Sequence, residues 1–122
     1  MEKEEKELLL KDLCARLPYG VKCQYKHIQY VENGKIIDIN MFGRVNIDGH
    51  IKDICDIKPY IFPLSSMTEE QKKEWKSLMI KDPFGVLYYT VESYDYLYKN
   101  HIDIRGLISM GLANDATGLN IY

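Results

Sequence analysis

The chain has 122 residues, enough to bury one core without disulfides or a metal. Its 46% apolar and 28% charged content is ordinary for a globular domain, and a net charge of -2 gives no electrostatic reason to bind nucleic acid or an anionic membrane. No apolar run approaches the roughly 20 residues that span a bilayer, and the acidic opening MEKEEKELLLKDL lacks the apolar core of a secretory signal, so a soluble cytoplasmic protein is expected.

Glu2 to Leu17 reads as a helix, with Leu9, Leu13 and Leu17 on one stripe widened by Leu10 and Cys14. Pro18, Tyr19 and Gly20 stop it. Val21 to Val31 reads as a strand whose alternation reverses near His27, through a bulge or through burial of both faces. Asn33-Gly34 is the preferred pair for a tight hairpin turn, so Ile36 to Phe42 is the expected return strand, with Ile37, Ile39 and Met41 inward. Val45 and Ile47 start a third strand, Asp48-Gly49 repeats the turn chemistry, and His50 to Ile54 returns as a fourth. Strands this close leave no room for crossover helices, so the expected sheet is a four-stranded antiparallel meander.

Pro59 and Pro63 keep Lys58 to Leu64 extended and exclude it from the middle of a sheet. Tyr60, Ile61, Phe62 and Leu64 are too many apolar residues for a solvated linker, so this reads as a strap packed on the core. Thr68 with Gln71 fits a capping box that opens a helix to Ile80, with Trp75, Leu78 and Met79 on one face. Asp82-Pro83-Phe84-Gly85 ends it. VLYYT, Val86 to Thr90, suits a fifth strand or a buried loop equally. Val91 to His101 reads as a helix capped by Thr90 or Ser93, and Ile104 to Leu112 as one or two further helical turns. The fold class expected is α+β: an N-terminal helix, the four-stranded meander and two to three C-terminal helices. It forms one domain over 1–122, divided into helix plus meander (1–57), strap (58–67) and helical half (68–122).

Motifs for chemistry are sparse. Cys14, Cys23 and Cys55 show no C-x-x-C spacing and read as buried, reduced thiols. His27, His50 and His101 lie far apart and form no H-x-x-x-H or E-x-x-H pair, so no metal or cofactor is expected. The sequence holds no G-x-S-x-G, P-loop or G-x-G-x-x-G. Tyrosine is the unusual feature: there are ten, five of them between Tyr88 and Tyr98. Tyrosine buries a large area while keeping a polar tip, which suits recognition surfaces. Tyr94 and Tyr98 fit the core at helical spacing, leaving Tyr88, Tyr89 and Tyr96 for a surface patch. Asp103 and Arg105 suit a surface ion pair or a small anion-binding corner beside His101.

The blocks LLLKDLCARLPYGVKC, IKPYIFPLSSMTEEQKKEW and YDYLYKNHIDIRGLISMGLA cover about half the chain. They resemble a family of small uncharacterised proteins of Bacteroides-type gut bacteria, their prophages and other mobile elements. The resemblance implies an origin and no chemistry. Together these readings lead to a non-catalytic binding or adaptor protein that contacts a host or phage protein, with no membrane and no nucleic acid. Its candidate residues are Tyr88, Tyr89, Tyr96, His101, Asp103 and Arg105. The alternatives are a small-ligand or nucleotide binder with an anion site near Arg105, and an enzyme with His101 as base and Asp103 as orienter.

Overall fold

In the computed structural model, which describes residues 1–122, the chain opens with α1, Lys3–Arg16. Acids in its first turn and Arg16 in its last match the helix dipole. A single tight turn over Leu17–Tyr19 follows, closed by Gly20 in the left-handed region.

Five strands come next: β1 Lys22–Lys26, β2 Val31–Ile39, β3 Arg44–Ile47, β4 His50–Asp53 and β5 Ile57–Ile61. With β8, Asn114–Asp115, they form a six-stranded sheet in the order β4-β3-β2-β1-β5-β8. The fold is α+β, and the four-stranded meander is corrected to this larger, mixed sheet. β1 to β4 do lie side by side in sequence order, but β5 comes back along the far edge of β1, and β8 adds to β5 in parallel.

The first hairpin does not turn where Asn33-Gly34 suggested. The chain reverses at residues 27–30, where His27 N–H donates to the Tyr30 carbonyl at 2.7 Å. Asn33 and Gly34 sit inside β2, opposite Gln24 and Cys23. Packing explains the glycine: a Cβ there would stand 2.5 Å from Ile47 Cγ2 and 2.9 Å from Asp48 Oδ2. Gly34 is needed for close approach, the alternative use of a strand glycine. The earlier turn and a register shift between Ile36 and Asp38 change the faces. Ile36 is buried, while Ile37 and Met41, expected inward, are exposed. At the second hairpin Asp48 and Gly49 both have positive φ (51° and 97°), as a two-residue type I′ turn requires.

Pro59 is fully buried inside β5, opposite Cys23. The expectation that prolines exclude this stretch from the middle of a sheet is therefore corrected, since β5 lies between β1 and β8. β8 pairs only with Tyr60 and Ile61, so at Pro59 the strand has a neighbour on one side alone and the missing N–H is tolerated as on an edge.

The second half begins with α2, Glu69–Ser77, opened by the Thr68–Gln71 capping box with reciprocal bonds of 2.9 and 3.1 Å. A small hairpin of β6, Ile80–Lys81, and β7, Leu87–Tyr88, follows in place of the last helical turn. α3, Val91–Lys99, is capped by Thr90. No third C-terminal helix forms: residues 104–112 are turns and bends, and Asp103 accepts the amides of Leu107 and Ile108 at 3.0 and 3.1 Å.

Leu9 and Leu13 of α1 pack on the inner sheet face in a core of 14 buried residues, joined by Leu107, Leu112 and Ala113 from the closing turns. The second half holds a far smaller core, Met67, Leu97 and Ile102, with Trp75 and Tyr96 at its margin. Among the thiols Cys23 is buried, and burial pushes it up to about 12, with Asp48 adding to the shift. Cys14, expected inside, is exposed. No helix is long and apolar enough to cross a membrane.

Candidate functional site

The corner at the end of α3 is built by a helix stop. Ile102 N–H donates to the Leu97 carbonyl (2.8 Å) and His101 N–H to that of Tyr98 (3.0 Å), the paired bonds of a Schellman ending. That ending places His101 in the left-handed region, φ 59°, where glycine is usual. Its ring stacks on Tyr122 with centroids 3.6 Å apart. Nδ1 is buried without a hydrogen-bond partner. Burial, then the charges of Arg16 and Lys22, lower its pKa to about 4, so the ring is neutral near pH 7.

Asp103 and Arg105 follow this histidine closely in sequence but do not join it or each other. Asp103 spends both carboxylate oxygens on the Leu107 and Ile108 amides. Arg105 turns to Asp12 of α1, with Nε 3.4 Å from Oδ1 but not aligned for a hydrogen bond, and donates to the Tyr98 hydroxyl at 3.3 Å. The same Asp12 is gripped by Arg16, Nε to Oδ2 at 2.7 Å, and both side chains are fully buried. Arg16 also donates to the Ile102 carbonyl at 2.7 Å and lies over the Tyr98 ring, so this network anchors the end of α3 to α1. An orienting carboxylate for His101 is absent, which removes the base-and-orienter arrangement. The charge of Arg105 already faces a carboxylate, which weakens an anion site there.

A cleft of about 410 Å³ opens beside His101, with Gln71, Lys99, Thr117 and Tyr122 in its wall. The Tyr122 hydroxyl accepts from Lys22 N–H and donates to the Tyr60 carbonyl, both at 2.8 Å, so it sits between β1 and β5 where the ladder would otherwise continue. Lys99 is the only charged group among the residues lining the cleft.

The tyrosine segment divides differently from the helical stripe. Tyr98 is core, as expected. Tyr94, assigned to the core, is partly exposed, while Tyr96, left for the surface, is half-buried and donates to Glu74 at 2.9 Å. Tyr88 and Tyr89 are exposed, at 52% and 59%. Tyr89 stacks over Trp75 (6.0 Å) and meets Tyr94 (5.4 Å). These three rings with Leu64, Leu97 and Ile104 line a groove of about 190 Å³ built only from hydrophobic residues. The Trp75 indole Nε1 is buried without a partner.

The hairpin beside the groove is uncovered. Ile80, Val86 and Leu87 are exposed, and Phe84 at its tip is 90% exposed. Asp82 fixes that tip: its carboxylate accepts the amides of Phe84 and Val86 and the Tyr88 hydroxyl, at 2.9 to 3.0 Å. The Val86 bond first, then that of Tyr88, holds this carboxyl below its ordinary pKa.

One cluster escaped the sequence reading. The 27–30 turn brings His27 within 5.5 Å of His50, alongside Tyr25 and Tyr30, with Glu32 3.3 Å from His27 Nε2. Only the true register of the first hairpin would have found it. No group of three or more His, Cys, Asp or Glu side chains is arranged to hold a metal ion. Comparison with known families, with curated proteins and with solved structures returns no match.

Proposed function

We propose that this is a non-catalytic binding module of phage or mobile-element origin that works by protein–protein contact through the hairpin and aromatic groove of its second half. The observation that carries the reading is the uncovered apolar hairpin fixed beside an apolar groove. A two-stranded hairpin is marginal in water on its own, and a contiguous apolar surface is the usual mark of a contact site. Tyr88 and Tyr89 belong to this surface. Tyr96, His101, Asp103 and Arg105 shape its support from behind or lie at the neighbouring cleft.

Affinity capture from the native cell tests this. Capture by the natural chain should yield a partner that Tyr89→Ser loses and Ile51→Ser, an exposed change on β4 away from the groove, retains. Calorimetry with the purified partner should show a negative heat-capacity change, the signature of apolar burial. Equal capture by both variants would refute the assignment of the surface.

A further inference from the structure

The hairpin and the groove differ in shape in a way that specifies an occupant. Phe84 is a protruding knob, almost free of contacts. The groove bounded by Trp75, Tyr89 and Tyr94 is a hole of about 190 Å³, and a dry cavity of about 150 Å³ already accepts benzene. Knob and hole lie on one continuous surface, because Tyr89 at the groove directly follows β7 of the hairpin. A surface carrying both halves of a joint can close on itself about a two-fold axis. We infer that the partner this surface fits is a second copy of the chain, the Phe84 of each protomer entering the groove of the other. This rests on the reading of the patch as a contact surface and goes further by naming what it contacts.

The area fits a weak, reversible dimer. The exposed fractions of Phe84, Tyr88, Tyr89 and Tyr94 correspond to roughly 500 Å² at about 200 Å² per ring. Ile80, opposite Tyr88 and on the same hairpin face, brings this to roughly 600 Å², at the low end of what each side of a specific interface buries. The tip is ordered in advance by Asp82, which lowers the entropy lost on docking.

Sedimentation equilibrium of the full chain over a concentration series tests the inference. The natural chain should dimerise. Phe84→Ser, at an exposed tip, should leave the unfolding curve unchanged and weaken the dimer by roughly 100–1000-fold, since each protomer loses a buried aromatic anchor. Leu64→Trp, which fills the groove, should weaken it similarly. Mixing the two variants should restore a heterodimer of intermediate strength, because the vacant groove of one still accepts the Phe84 of the other. A natural chain that stays monomeric throughout overturns the second copy as occupant; the wider reading then stands or falls separately on the Tyr89→Ser capture. A dimer unaffected by Phe84→Ser, or variants that do not complement, also overturns it.

Discussion

The two halves of the molecule solve the same packing problem with opposite thoroughness. Around the sheet, 14 residues share one core and even a charged pair, Asp12 and Arg16, is sealed from water. Around α2, α3 and the hairpin, three residues form the core and apolar side chains face outward. Sequence hydrophobicity does not account for the contrast, since VLYYT is as apolar as most of the strands. Topology does: α1 and the closing turns contribute side chains to the sheet core, whereas Ile80, Phe84, Val86 and Leu87 of the hairpin stay exposed. The sheet half also leaves Ile28, Met41 and Phe42 exposed in its loops; what sets the second half apart is that its exposed rings and hairpin adjoin a groove, which suits contact.

Substitutions can break this contrast, starting with the buried pair. Arg16→Ala should cost about 3–5 kcal/mol, because it leaves the buried Asp12 carboxyl with only the imperfectly aligned Arg105 to face it. Urea unfolding measures this, and a loss below about 1 kcal/mol would mean that water reaches the pair. Gly34→Ala should cost about 1–3 kcal/mol by overpacking against Ile47. If it instead stabilises, the close approach is not real.

Acidification sharpens the comparison at the seam between the halves. His101 has a folded pKa near 4, below its unfolded value near 6.5. The unfolded chain therefore binds more protons between those values, and stability falls as pH drops through that window. Solvent reaches the half-buried ring, so the loss should not exceed about 1–2 kcal/mol between pH 7 and 4. His101→Asn tolerates the same left-handed backbone and should flatten the melting temperature over that range; an unchanged slope would assign the acid sensitivity to other groups. Thr68→Ala should cost about 1 kcal/mol by removing the α2 cap. Smallest of all, Phe84→Ser should change monomer stability by less than about 0.5 kcal/mol, in direct contrast to Arg16→Ala.

Local signals in the sequence were legible where local physics decides. The capping residues of α2 and α3, the Asp48-Gly49 turn and the helix stop at Gly20 all act through neighbours in the chain. Tertiary demands overrode the others. Asn33-Gly34 resembles a turn because glycine serves both positive φ and close approach, and only the position of Ile47 distinguishes them. Pro59 enters the sheet because β8, more than fifty residues later, starts one residue beyond it. The counter-ion of Arg105 is hidden from local reading for a similar reason: it is Asp12, on the first helix. Within the tyrosine segment, exposure of Tyr89 followed from chain order, but the groove needed Trp75 and Leu64 from other elements.

Thr90 links these themes through a single hydroxyl. It caps α3 by accepting from Ser93 N–H and also donates to the Leu78 carbonyl at the end of α2, at 2.6 Å. Residues 79–89 therefore leave and re-enter the body through a neck that is already clasped. Such a stretch behaves as a cassette: evolution or an engineer can exchange its sequence, and with it what the molecule recognises, while the clasp keeps both helices where the fold put them.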